Sequence, residues 1–165
     1  MIVFLMKRKR KKTLEKKTII EIYTDGSILK NPGGFGGYAA ILLRDNKKRQ
    51  VVGSEPDTTN NRMELRAVIA GLTVIKKPCS VKIYTDSKYV MNGIRKWIGG
   101  WKKRKWKNSQ GKPVANKDLW LLLDRLCNYH DTYWQWVKGH SGDKWNEAVD
   151  KLAGKAARDG AEEYE

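Results

Sequence analysis

The tetrapeptide Ile-Tyr-Thr-Asp occurs twice, at Ile22 to Asp25 and at Ile83 to Asp86, each time closing an apolar alternating run. In the first run Ile20, Ile22 and Thr24 alternate with Ile19, Glu21, Tyr23 and Asp25; in the second Val81, Ile83 and Thr85 alternate with Lys82, Tyr84 and Asp86. A period of two marks a β-strand, so each Asp is expected to end a strand and to share a face with its own Tyr. If the two strands are neighbours in one sheet, their carboxylates converge at its edge, where concentrated negative charge needs a cation.

The elements around this repeat suggest an α/β sheet. A strand from about Thr18 ends in Asp25-Gly26-Ser27, and Asn31-Pro32-Gly33-Gly34 punctuates a loop. Strands over Gly37 to Arg44 and Gln50 to Ser54, joined by a turn at Asp45 to Lys48, complete an antiparallel meander. Thr58-Thr59-Asn60-Asn61 supplies capping groups ahead of Met63, Leu65, Val68, Ile69, Leu72 and Ile75, whose spacing is that of an amphipathic helix. Pro78 follows that helix and precedes the second repeat strand, a crossover that permits a parallel neighbour. Beyond Asp86 the pattern predicts a helix from Ser87 to Trp97, a break at Gly99-Gly100 and a short helix over Trp101 to Lys107. Asn116 should cap the next helix, Thr132 to Val137 reads as a last strand, and a final helix begins near Asp143.

The chain has 165 residues, 40% of them apolar, enough for one domain with a sizeable core. Its formal charge of +16 is unevenly placed. Residues 1–17 carry eight Lys/Arg against Glu15, residues 95–117 carry nine and no acid, and the remainder balances 17 against 17. A neutral body with two basic elements points to a polyanionic partner gripped at defined places. The basic tail suits a nucleic-acid arm, a nuclear address or a solubilising segment. Cys79 and Cys127 are too few for a disulfide framework or a zinc site, so a reducing, intracellular (cytoplasmic) location is expected. Met1 to Met6 is too short for a secretory signal and has its charges on the wrong side, and no stretch is long enough to cross a bilayer.

Four acidic residues stand out by context: Asp25, Glu64, Asp86 and Asp150. Any one alone reads as a solvated or capping carboxylate; together they lie in specific strings. With Tyr23-Thr-Asp-Gly-Ser27, Asn31-Pro-Gly33, Thr59-Asn-Asn-Arg-Met-Glu64, Thr85-Asp-Ser87, Trp136-Val-Lys-Gly-His140 and Asn146-Glu147 leading to Asp150, the chain resembles the ribonuclease H type 1 family over residues 18–160. The resemblance implies a ribonuclease H-like fold, a mixed five-stranded sheet of three antiparallel then two parallel strands flanked by helices. It also implies an endonuclease that hydrolyses the RNA strand of RNA/DNA hybrids, leaving 5′-phosphate and 3′-hydroxyl ends. The domain is then residues 18–160, with short tails at 1–17 and 161–165, and the family expectation is a monomer.

The family's metal ligands fall on Asp25, Glu64, Asp86 and Asp150, and its mobile histidine on His140, flanked by Gly139 and by Ser141-Gly142. The implied cofactor is Mg²⁺, two ions with Mn²⁺ as a substitute. The chemistry suits those types, because two hard ions about 4 Å apart serve both ends of an in-line phosphoryl displacement, and Mg²⁺ takes a few carboxylates plus phosphate oxygens. The resemblance places Asn31, Asn60 and Glu64 against RNA 2′-hydroxyls, and Thr59, with Asn31 nearby, at a DNA phosphate.

Trp97, Trp101 and Trp106 interleave with Lys102, Lys103 and other cations in a segment, 95–117, that resembles the family's basic protrusion, which holds the DNA strand. The tryptophans serve partly as core anchors and partly as surfaces for a sugar or base. Lys88 stands where an amide is common and is expected to reach substrate. The loop after Asn31 is one residue longer than in the bacterial type, and Asp143-Lys144-Trp145 replaces a Pro-bearing loop. A noncatalytic hybrid-binding protein fits the basic segment but not four clustered acids. Another two-metal nuclease or an integrase fits the acids but not the Trp/Lys segment.

Overall fold

The computed structural model describes residues 18–164; the expected basic tail lies outside them. Five strands, β1 (Ile20–Ile28), β2 (Gly36–Arg44), β3 (Lys47–Glu55), β4 (Ser80–Thr85) and β5 (Asp131–Trp136), form one sheet in the order β3-β2-β1-β4-β5. The β1–β2 and β2–β3 pairs are antiparallel, and β1–β4 and β4–β5 are parallel. This is the mixed sheet expected from sequence. The repeat explains the register: Ile22 pairs with Ile83, Tyr23 with Tyr84 and Thr24 with Thr85.

The period of two then sorts side chains between two layers. Ile20, Ile22, Val81 and Ile83 turn toward a core built with Leu65, Val68, Ile69 and Leu72 of α1 (Asn60–Thr73) and Leu119, Trp120 and Leu123 of α4 (Lys117–Tyr129). Tyr23, Ala39 and Ile41 turn the other way, against Val149 and Ala153 of α5 (Lys144–Tyr164). Each fully buried Ile or Leu contributes about 1.5–3 kcal/mol, so the α1/α4 layer is the larger stabiliser. Helix α1 starts where Thr59 Oγ1 accepts from Arg62 N at 3.3 Å, and α5 starts where Asp143 Oδ1 accepts from Trp145 N and Asn146 N.

The structure departs from the sequence reading at six places. Asp25 does not end β1, because β2 goes on pairing with it through Ile28; only the parallel partner β4 stops, at Thr85. The β2–β3 turn is confined to Asp45-Asn46, with β3 already begun at Lys47. Gly99-Gly100 does not break the helix after Asp86. Instead α2 (Lys88–Asn92), a π-helical turn (Gly93–Trp97) and α3 (Ile98–Lys103) follow without interruption. Glycine costs a helix about 1 kcal/mol, and Ile98 and Trp101 on either side of the pair offset this by packing on the core.

The expected helix over Trp101 to Lys107 therefore ends early, at Lys103, and Lys105 and Trp106 take positive φ of 54° and 61°. Asn116 precedes α4 but makes no side-chain cap; in left-handed backbone its amide donates to Tyr89 Oη and accepts from Arg62. Residues 161–164, expected as a tail, continue α5 to Tyr164.

Candidate active site and substrate-binding surface

Asp25 and Asp86 meet because the repeat strands pair in register, Asp25 lying one residue beyond the last β1–β4 pair and Asp86 directly after β4. Glu64 comes from the first turns of α1, and Gly26 is what lets it approach. A Cβ on Gly26 would lie 2.5 Å from Glu64 N and from the Met63 carbonyl carbon, so any other residue there would push α1 off β1. One carboxylate oxygen from each of Asp25, Glu64 and Asp86 lies within 4.8 Å of the others. Asp150, on the second turn of α5, adds its charge to both Asp25 and Asp86 from the opposite layer.

Asp25 and Glu64 are each only 5% exposed. Burial, with the charges of Asp86 and Asp150, pushes the Asp25 carboxyl up to about 8, opposed by a hydrogen bond with Glu64. Glu64 is raised well above the ordinary carboxylate range by burial first, then by Asp25 and Asp86. Asp86 is raised by burial, with Asn146 and the charge of His140 pulling the other way. Packed like charges of this kind are unfavourable unless neutralised. Glu64 Oε2 is buried with no hydrogen-bond partner. An orphaned hard oxygen beside two more carboxylates fits a divalent cation such as Mg²⁺, and these residues can hold one.

The structure also brings together most of the remaining predicted residues. Asn60 N donates to Asn31 Oδ1 at 3.2 Å, next to the Thr59 cap, so Asn31, Thr59 and Asn60 form one polar rim at the head of α1. His140 is exposed, in left-handed backbone at φ 54°, and near enough to Asp86 for its charge to act there. Lys88 is exposed at the start of α2.

The tryptophans of this segment differ in burial. Trp101 and Trp106 pack on the core, Trp101 edge-on to Trp120 at 5.3 Å, whereas Trp97 is 36% exposed and leans on Tyr89 and Trp101. Lys102 is paired with Asp124 at 2.7 Å, while Lys103 is exposed.

Two contributors were not assigned roles from sequence. Asn146 is buried and bears on Asp86; it stands four residues before Asp150 on one helix, the spacing that puts two side chains on one face. Trp136 Nε1 donates to the Asp86 carbonyl at 3.2 Å, a contact that no local sequence signal announces.

The sequence profile of the RNase H family matches residues 16–158. A ribonuclease H of Stutzerimonas stutzeri is 53% identical over 134 residues, covering 81% of this chain and 88% of that protein. Another, of Francisella tularensis subsp. novicida, is 51% identical over 142 residues, covering 86% and 93%. Among solved structures, that of LC9-RNase H1, a type 1 RNase H with the type 2 active-site motif, superposes with a TM-score of 0.77 at 34% identity, covering 86% of this chain and 72% of that one. The foamy viral protease-reverse transcriptase in complex with RNA/DNA hybrid gives 0.70 at 19% identity over 95% of this chain and 22% of that one, which shows the fold alone. Fold, carboxylate cluster and relatives agree: the chain belongs to the RNase H family, nucleases that cleave RNA within RNA/DNA hybrids.

Proposed function

We propose that the chain is an endonuclease that hydrolyses the RNA strand of RNA/DNA hybrids with two divalent ions, Mg²⁺ or Mn²⁺ in its place, leaving 5′-phosphate and 3′-hydroxyl ends. The observation that carries this reading is the trio Asp25, Glu64 and Asp86, with ligand oxygens within 4.8 Å, raised carboxyl pKa values and an unpartnered Glu64 oxygen. Divalent ions bound there supply Lewis-acid charge at the scissile phosphate and a water that loses its proton near neutral pH. Asp25, Glu64, Asp86 and Asp150 would hold these ions, Asp25 as the ligand they share, Glu64 and Asp86 on one side and Asp150 on the other. Asn146 and Trp136 orient Asp86 through its side chain and its carbonyl.

His140, in its exposed loop, carries a proton or assists product release and accelerates the reaction without being indispensable. The rim of Asn31, Asn60 and Glu64 reads RNA 2′-hydroxyls, and Thr59 with Asn31 holds a DNA phosphate. Lys88 reaches substrate beside the cluster. The protrusion at 95–117 holds the DNA strand, with Trp97, Trp101 and Trp106 as its aromatic spine and Lys102 and Lys103 among its cations. The working unit is a monomeric domain over residues 18–160. Among the described residues no helix is long and apolar enough to cross a membrane.

The test incubates the protein with RNA/DNA, RNA/RNA and DNA/DNA duplexes, with Mg²⁺ and with EDTA. Cleavage of the RNA strand of the hybrid alone, and only with Mg²⁺, is expected. Equal cutting of all three duplexes, or undiminished cutting in EDTA, refutes the reading.

A further inference from the structure

The helical run after Asp86 has a second face. Lys88, Met91, Asn92, Arg95 and Lys96 recur at the three- and four-residue spacing that aligns side chains along one helix side. Together with Trp136 at the end of β5 they line a groove of about 330 Å³. Trp97, by contrast, packs at a tilt against Tyr89 and Trp101. The groove's lining includes three cations, one amide, one indole and no acid. Lys88, Arg95 and Lys96 are exposed, and Trp136 is 37% exposed. Arg95 is held in place by donating to the Trp134 carbonyl at 3.3 Å.

The groove adjoins the carboxylate cluster at one point, Asp86. Lys88 follows it by two residues, and the Trp136 indole donates to its carbonyl. Charge and shape together select the ligand. Cations without counter-charges fit a phosphate backbone. An exposed indole fits the face of a base, and only an unpaired base offers that face, since paired bases are stacked within the helix. The groove is at the small end of ligand pockets, about 300–1,000 Å³, which suits one nucleotide unit and not a duplex. From Lys88 to Lys96 the helix advances about 12 Å, a reach of a few nucleotides. Because the groove adjoins Asp86, where the scissile phosphate would lie, its occupant is taken as the strand being cut. Arg95 and Lys96, the first two residues of the 95–117 segment, serve that strand while the rest of the segment serves the DNA strand.

We propose that the groove between Lys88, Asn92, Arg95, Lys96 and Trp136 is a subsite for unpaired nucleotides of the RNA strand where it leaves the end of a hybrid. The enzyme thereby favours hybrids with a single-stranded RNA extension over blunt ones. This rests on the hybrid-cleaving reading above.

The test compares one hybrid duplex in five forms: blunt, with a short RNA extension at the 5′ or the 3′ end, and with the same extensions in DNA. Affinity is read by fluorescence anisotropy in EDTA, and cleavage is followed with Mg²⁺. The parent is expected to bind one RNA-extended form roughly tenfold more tightly than the blunt one, at one end only because the groove has one direction from Asp86. Arg95→Glu with Lys96→Glu is expected to bring that ratio close to one. Lys96→Glu alone, which leaves the hydrogen bond from Arg95 to the Trp134 carbonyl in place, is expected to lower it in part. Equal affinity for blunt and extended hybrids, an equal gain from DNA extensions or at both ends, or a ratio unchanged in the double variant overturns the subsite. Failure to cleave even the blunt hybrid with Mg²⁺ overturns the hybrid reading instead, so the two failures are distinguishable.

Discussion

The carboxylate cluster and the basic protrusion are built on opposite principles. The cluster gathers residues from four parts of the chain across more than a hundred positions of sequence, buries Asp25 and Glu64, half-buries Asp86 and Asp150, and leaves their charges in conflict. The protrusion is one contiguous stretch whose rings satisfy one another, Trp97 on Trp101, Trp101 on Trp106 and on Trp120, while its cations face solvent. One region trades stability for a concentration of negative charge that a cation would neutralise; the other is held by its rings packing on the core and presents charge at little cost. Catalysis needs fixed geometry, which the sheet and two helices supply, whereas holding a backbone by its phosphates tolerates mobile lysine ammonium groups.

Removing a ligand from the cluster breaks this comparison most directly. Asp25→Asn is expected to lower the hydrolysis rate by at least about 10³-fold, the equivalent of several kcal/mol of lost transition-state stabilisation. Hybrid binding should remain measurable, because the protrusion is untouched. The same substitution should stabilise the metal-free protein at pH 8. With its folded carboxyl pushed up to about 8 from an ordinary 3.8, Asp25 keeps a proton in the folded protein that the unfolded chain has lost between those values. Its presence therefore costs stability progressively as pH rises through that window, and the cost is absent below it. Denaturant melts in EDTA at pH 4 and pH 8 should show the parent losing stability on the way up and Asp25→Asn losing less. Parent-like turnover in Asp25→Asn would remove the metal reading, and parallel melts would remove the conflict of charges.

Gly93→Ala tests whether the protrusion is stable through its rings. A Cβ at Gly93 would lie 2.0 Å from the Trp120 ring, and that ring is fully buried at the centre of the aromatic set. A cost of about 1–3 kcal/mol is expected from overpacking, read as a lower denaturant midpoint. A neutral result would mean that the π-helical turn is not held by Trp120.

The smallest effects separate two neighbouring lysines. Lys103→Ala should weaken hybrid binding and lower the slope of log affinity against log salt by about one. Lys102→Ala should change the slope less, since Lys102 is already paired with Asp124, and cost no more than about 1 kcal/mol of stability. Titrations of both variants at several salt concentrations decide this, and a larger slope change for Lys102→Ala would reverse the assignment.

Much of this was legible in the sequence because its signals are local. The alternation around Ile22 and Ile83, the Thr59 cap and the helical spacing of Met63 to Leu72 each follow from neighbours in the chain. The motif strings, through the family they resemble, pointed to Asp25, Glu64, Asp86 and Asp150. What was not legible depended on partners far away. Gly99-Gly100 looked like a helix break, and only the burial of Ile98 and Trp101 around it carries the helix through. Asn116 looked like a cap, and only the nearness of Tyr89 and Arg62 turns its amide to another task.

The doubled Ile-Tyr-Thr-Asp shows the same division. The sequence by itself determined that two strands of identical pattern each carry an Asp after Thr, since alternation is a property of the strand alone. The tertiary structure decided that the copies pair in register, that Asp25 stays within a strand while Asp86 follows one, and that α1 and α5 bring Glu64 and Asp150 from opposite layers. Local preference sets which way a side chain points along its own element. Only packing of separate elements, here the close approach at Gly26, sets which side chains share a few ångströms of space.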